Sequence, residues 1–241
     1  SQSIASPNVV LNTIMAQELE EFADILEQSN DFQTDLQNLL HDTFKAHQRI
    51  IFNGNGYGED WVQEAQRRGL SNLRDTVDCM PAYIDPKNIR LFAGHNILSE
   101  TEMRARYEIH LENYCKVTAI EASTLRDMVL RGILPAVNRY TADLTQAILH
   151  KRELVVPCRV EEDLLQKLSA LTGSLYDTMA AINEAMDKAP DAEGGIDAAR
   201  YYREEIVRRM EEARQSIDQL ESLTAAKYWP YPTYADILFS V

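Results

Sequence analysis

The sequence is short of glycine, with 9 residues in 241, roughly half of the ~7% found in average proteins. Three of them, Gly54, Gly56 and Gly58, fall within one five-residue stretch. A chain this poor in glycine has little material for glycine-rich phosphate cradles or for the many tight turns of all-β folds. Cysteine is scarcer still. Cys79, Cys115 and Cys158 are odd in number, far apart and without C-x-x-C spacing, so neither a disulfide framework nor a zinc site is legible and a reducing cytoplasm is expected. Long apolar runs are missing, none approaching the ~18 residues that would span a bilayer. The first residues, Ser-Gln-Ser-Ile-Ala-Ser-Pro, offer neither the basic nor the apolar region of a signal peptide. The expectation is a chain that is neither exported nor membrane-inserted. Positive charge is also in deficit: 24 Lys and Arg against 38 Asp and Glu give a net charge of −14. Such a surface repels phosphate backbones and anionic headgroups, which makes nucleic acid and membranes poor partners.

What is present is ordinary globular material, 45% hydrophobic and 26% charged, enough for one large domain or two small ones. The apolar residues recur at helical spacing almost throughout. Val10, Ile14, Leu19, Phe22, Ile25 and Leu26 mark a first helix ending near Ser29. Asn30 and Gln33 form a capping-box pattern for a second helix carrying Phe32, Leu36, Leu39, Leu40 and Phe44 to about His47. The segment from Arg49 to Gly58 breaks this rhythm, and its two Asn-Gly pairs supply consecutive positions tolerant of positive φ. Glu59 to Arg68 reads as a short helix stopped by Gly69. Arg74 to Tyr83 is ambiguous, with Pro81 as its only firm punctuation. Asp85-Pro86 opens a further helix that Gly94 closes.

Ser99 and Glu102 form the clearest start signal, a capping box. The helix it opens carries Met103, Tyr107, Leu111, Tyr114 and Val117 on one face and runs to about Leu149. Pro135 removes a backbone donor and should kink or divide it near Arg131 and Gly132. Two later stripes, Leu164 to Met186 and Ile206 to Leu223, flank a short polar connection and read as an antiparallel hairpin. The tail Tyr228-Trp229-Pro230-Tyr231-Pro232-Thr233-Tyr234 cannot be helical, because two prolines force extended geometry on their predecessors. It is dense in aromatics and is expected to dock on the helices or on another chain. The fold class is therefore all-α: a bundle with long antiparallel helices, one of them proline-kinked, and an extended C-terminal tail.

No catalytic or metal-ligating constellation emerges from the residues. His41 and His47 are six apart and face opposite sides of their helix, unlike the i, i+4 pairs of metal sites. His95, His110 and His150 have no second histidine nearby. Glu20-Glu21, Glu161-Glu162 and Glu204-Glu205 are neighbours that diverge by about 100° on a helix, as solvated faces do. Glu-x-x-His pairs of di-metal bundles are absent. The loop of Asn53, Gly54, Asn55, Gly56 and Tyr57 is the one candidate for a substrate-adjacent or interface role, because loops with unusual backbone demands often carry function.

The stretch RIIFNGNGYGEDWVQEAQRRGLSNL, Arg49 to Leu73, is very similar to the region downstream of the catalytic core in type III glutamine synthetases. SQSIASPNVVLNTIMA at Ser1 to Ala16, SETEMRARYEIHLENYCK at Ser99 to Lys116, IEASTLRDM at Ile120 to Met128, ILPAV around Pro135 and YWPYPTYADILF at Tyr228 to Phe239 agree in order. Residues 150–227 match by helical pattern more than by motif. SPNVVLNTIMA resembles the Ala-Asn-Pro-Tyr-Leu-Ala type motif that ends the catalytic domain in this family, with Pro and Asn exchanged.

The resemblance implies an excised C-terminal region, with residues 1–29 as the end of the catalytic domain and its exit helix. Residues 30–241 would then be a helical C-terminal domain with long helices near 99–149, 160–188 and 197–226. It implies a parent enzyme condensing glutamate with ammonia through γ-glutamyl phosphate, using ATP and Mg2+ or Mn2+, and assembled as a double-ring homo-oligomer. The family's metal-binding glutamates and phosphate-binding arginines would lie upstream of Ser1, so no catalytic residue, metal ligand or cofactor is expected on this chain. Its expected role is structural: contact with the remainder of the catalytic domain and with neighbouring subunits. Two other classes stay open, a free-standing helical interaction module and an all-α enzyme whose site is assembled from scattered residues.

Overall fold

A computed structural model describes residues 3–239, without the side chains of Tyr234, Ala235 and Phe239. Every regular element among the described residues is helical, and the chain divides into two compact units, Ser1–Ile109 and His110–Val241.

The first unit contains α1 (Ala5–Glu27), α2 (Phe32–Ala46), α3 (Glu59–Arg67), α4 (Thr76–Tyr83), α5 (Pro86–Gly94) and the start of α6 (Glu100–Met128). Side-chain oxygens set its helix starts. Asp75 accepts from the Asp78 amide at 2.9 Å, Asp85 accepts from the Lys87 amide at 2.9 Å, and Ser99 and Glu102 bond each other's amides at 3.3 and 2.8 Å, each satisfying a donor that the first turn leaves free. The cap of α2 is Asp31, not Asn30: its carboxylate takes both the amide and the hydroxyl of Thr34, while Ser29 braces the turn by accepting from the Asp31 amide. The ambiguous stretch is α4, with Pro81 inside it. Gly69 ends α3 at φ +71°, and the left-handed residue after α5 is Asn96, at φ +53°, an arrangement that lets the Ile97 amide return to the Phe92 carbonyl at 3.0 Å. The core of this unit is small, with Ala65, Val77, Met80, Phe92 and Met103 buried. α1 lies against α2 and α5, and Gln17 of α1 is hydrogen-bonded to the His95 ring at 2.9 Å.

The second unit is built on three long antiparallel segments: α7 (Leu134–Glu153), α8 (Arg159–Asp187), and α9 (Gly195–Tyr201) continuing into α10 (Arg208–Leu223). α8 packs chiefly on α10 and α7. Leu168, Leu175, Met179 and Ile182 of α8 are at most 1% exposed, and Ile206, Ala213 and Leu220 of the return segment are fully buried; each such large side chain contributes about 1.5–3 kcal/mol by leaving water. Gly195 takes the sharp turn between them at φ +65°.

Two single π-turns interrupt the long helices, at Val129–Ile133 and Tyr202–Val207. The first sits where Pro135 withholds a donor from the Arg131 carbonyl, and the Leu134 amide bonds the Val129 carbonyl across the widened turn. The backbone thus accommodates the proline without ending the helix. On α6 the buried residues are Met103, Leu111, Cys115, Thr118 and Ala122, so Met103 and Leu111 of the expected face are enclosed but Tyr107, Tyr114 and Val117 are not. Val117 is exposed and the two tyrosines are only half-buried. Beyond α10, residues 224–233 are non-helical as expected, but Tyr234 already belongs to α11 (Tyr234–Phe239). Tyr228 packs at a tilt against Tyr140 of α7, with ring centroids 5.2 Å apart, and donates its hydroxyl to Asp143. Tyr231 reaches the Met128 carbonyl at 3.2 Å. The tail therefore docks on its own helices through these two tyrosines. The side chain of Tyr234 lies outside the described residues.

Candidate functional site

The Asn53 to Tyr57 loop is presented on a rigid base made by α3. Phe52 and Trp61 stack with centroids 4.4 Å apart. Arg68, just past the end of α3, lies 5.8 Å from the Trp61 ring and 6.0 Å from that of Phe52. Its guanidinium donates to the Ile51 carbonyl at 2.8 Å and the Arg49 carbonyl at 3.2 Å, tying the segment that enters the loop onto the end of the helix. Glu64 orients this guanidinium by accepting from Arg68 Nε and pairs also with Arg67 at 2.6 Å. The hydrogen bonds from Arg67 and then Arg68 hold the Glu64 carboxyl down to about 2, against 4.5 ordinarily.

Within the loop, Asn55 accepts the Tyr57 amide on its side chain at 3.0 Å and the Gly58 amide on its carbonyl at 3.1 Å, an Asx turn leading into α3. Gly54, Gly56 and Gly58 are not in the left-handed region; among the described glycines only Gly69 and Gly195 are. The expectation of serial positive φ is thus corrected. Gly54 is required sterically, since a Cβ there would come within 2.6 Å of the Phe52 ring. Tyr57 projects fully into solvent at the tip, and Asn53 is exposed beside it. The loop can therefore present an aromatic ring, amide groups and free backbone donors to something outside it. Apart from the Tyr57 phenol it contains no ionisable side chain. The sequence pointed to the loop through its glycines, but the clamp of Arg68, Glu64, Trp61 and Phe52 was not legible, because it depends on a packing contact across 17 to 19 positions of chain.

The other sequence candidates remain dispersed. His41 is paired with its neighbour Asp42. His95 meets Gln17 and stands 3.7 Å from Glu20. The adjacent carboxylates each go their own way: Glu161 to Lys151 at 2.5 Å, Glu162 to Arg152 at 2.7 Å and to the Cys158 thiol, and Glu205 to Arg209 at 2.6 Å. Among the described residues no three His, Cys, Asp or Glu side chains gather closely enough to hold a metal ion.

The family model for the glutamine synthetase C-terminal domain matches residues 35–152, which includes the whole loop and its clamp. The chain is 35% identical to a glutamine synthetase of Butyrivibrio fibrisolvens over 88% of its own length and 31% of that relative. It is 32% identical to the type-3 glutamine synthetase of Dictyostelium discoideum over 99% of its length and 34% of that protein. The chain belongs to the glutamine synthetase family. A glutamine synthetase of Bacteroides fragilis, 28% identical, is matched over 100% of the chain and 34% of its own length. The chain thus spans about a third of the glutamine synthetases it matches. No helix among the described residues is long and apolar enough to cross a membrane.

Proposed function

We propose that this chain is the helical C-terminal module of a type III glutamine synthetase, serving a parent enzyme that condenses glutamate with ammonia at the expense of ATP in the cytoplasm. Its contribution is to brace the catalytic domain and to contact neighbouring subunits of a homo-oligomer. Divalent metal and ATP are assigned in this reading to the catalytic part of the parent, and no step of the reaction is assigned to residues of this chain.

One observation of the geometry carries this reading. Leu11, Met15 and Leu19 of α1, spaced by four, are 60 to 64% exposed, an apolar stripe of a kind that stable proteins place against a partner surface. α1 is the segment whose sequence resembles the exit from the catalytic domain, so that domain is the occupant proposed for the stripe, with residues 1–29 leading from it into the helical module. The clamped Asn53 to Tyr57 loop is proposed to reach toward the catalytic mouth. Its aromatic tip and amides suit contact with a neighbouring protein surface, and its rigid base would hold that contact in place.

The test is co-expression of the 241-residue chain with the catalytic part of a type-3 relative truncated before this region. The two should co-purify and form glutamine together, and Met15→Asp should abolish both. Glutamine formation by the 241-residue chain alone, or failure of the pair to associate, would overturn the reading.

A further inference from the structure

Of the 12 asparagines in the chain, only Asn53 and Asn55 precede a glycine. That distinction is chemical. The amide nitrogen of the following residue can attack an asparagine's side-chain carbonyl carbon, and glycine, having no side chain, leaves both the approach and the backbone rotation it needs unhindered. The two pairs lie side by side in one loop and both asparagines are exposed, so sequence and solvent access treat them alike.

The structure separates them. The Asn55 side chain is engaged: its Oδ1 accepts the Tyr57 amide at 3.0 Å, while its main-chain carbonyl accepts the Gly58 amide at 3.1 Å. Bringing its Cγ onto the Gly56 nitrogen requires the first of these bonds to break. At the other pair, among the described residues, no hydrogen bond engages the Asn53 side chain or the Gly54 amide. The nucleophile and the carbon it attacks are thus both free there. Packing also fixes the reactive neighbour. A Cβ on Gly54 would come within 2.6 Å of the Phe52 ring, whereas one on Gly56 would meet nothing within 4 Å. The glycine that opens Asn53 to this chemistry is the one that the stacked base of the loop requires.

We propose that Asn53 is a site of spontaneous covalent modification, deamidating through a cyclic imide while Asn55 is spared. The Gly54 nitrogen gives up its proton to water and bonds to Asn53 Cγ; the Cγ–Nδ2 bond breaks, and the leaving nitrogen takes a proton from water and departs as ammonia. One water then opens the five-membered ring. Cleavage between the nitrogen and Cγ gives aspartate, and cleavage between the nitrogen and the main-chain carbonyl carbon gives isoaspartate, in which the chain runs through the former side chain. Either product places a carboxylate at position 53. Isoaspartate also adds a main-chain methylene between the Ile51 carbonyl, which Arg68 holds at 2.8 Å, and the Asn55 turn. No co-reactant other than water is needed, and the inference stands independently of the role proposed for this module in a parent enzyme.

The experiment is incubation of the purified 241-residue chain for several weeks at physiological temperature in mildly alkaline buffer, followed by peptide mapping with mass spectrometry and an isoaspartyl methyltransferase assay. Residue 53 should be converted to a mixture of aspartate and isoaspartate, and a more acidic species should grow in parallel on ion exchange. Asn53 should convert about three- to tenfold faster than Asn55, a factor set by the one hydrogen bond that must first break. In the urea-unfolded chain that bond is absent and the two rates should converge. Asn53→Gln, whose longer side chain would have to close a six-membered ring, should lose the acidic species; circular dichroism establishes that this variant is folded. An Asn53 that stays intact, an Asn55 that converts as fast in the folded chain, a rate ratio unchanged by unfolding, or an acidic species retained in Asn53→Gln would each overturn the proposal.

Discussion

The hydroxyl of Tyr231 lies over Gly132, where a Cβ would approach it to 2.5 Å, and donates to the Met128 carbonyl at 3.2 Å. The tail is thereby locked onto the first π-turn, because only a residue without a side chain leaves room for the ring and the widened backbone offers a carbonyl for its hydroxyl.

Gly132→Ala should therefore destabilise the second unit. Helix propensity favours alanine by up to about 1 kcal/mol, but the overlap with Tyr231 costs about 1–3 kcal/mol. In a Tyr231→Ala background the overlap is gone and Gly132→Ala should become neutral or stabilising. Urea denaturation of the four proteins in this cycle measures the coupling, and additive effects would contradict the lock.

Arg68→Lys keeps the charge beside Glu64 but loses the planar fork that reaches the Arg49 and Ile51 carbonyls and lies near Trp61 and Phe52. The expected cost is about 1–2 kcal/mol, accompanied by a shift in Trp61 fluorescence and faster amide exchange in residues 51–58. Unchanged exchange would mean that the loop holds its shape without the clamp.

Glu64 gives the first unit a dependence on acid. Its carboxyl is ionised in the folded chain down to a pH of about 2, against 4.5 ordinarily. A lowered folded value means that the stabilisation is complete above about 4.5 and disappears as the pH falls through about 2. The urea midpoint of the wild type should exceed that of Glu64→Gln by a constant margin at neutral pH, and the margin should shrink across that window. Because the group is at the surface, salt should reduce the margin throughout.

Val155→Gly removes the strain of φ +55° and should raise stability by about 1 kcal/mol, read as a higher Tm. A variant with a lower Tm would show that Val155 is not strained.

The local signals were strong where one turn of chain is enough to satisfy a backbone group. The Ser99–Glu102 capping box, the proline opening of α5 and the Gly69 stop were all legible, because capping chemistry is settled within four residues. The cap of α2 was missed by one position, since Asn30 and Asp31 are both competent and Ser29 decides between them. The Asn53 to Tyr57 loop was visible as an anomaly but misread in its cause: Gly54 is dictated by the Phe52 ring, which the sequence places nearby without showing where it folds.

By itself the sequence determined a helical fold, the position of most helices, a family and the absence of a legible catalytic cluster, because periodicity, caps and motifs are properties of neighbouring residues. Only the tertiary structure decided which apolar residues are buried. Val117 faces water while Cys115 and Thr118 are enclosed, and the stripe of Leu11, Met15 and Leu19 is left open. A spacing of three or four states that residues share a face, but a helix of 3.6 residues per turn lets that face drift over several turns, and burial is fixed by what packs against it.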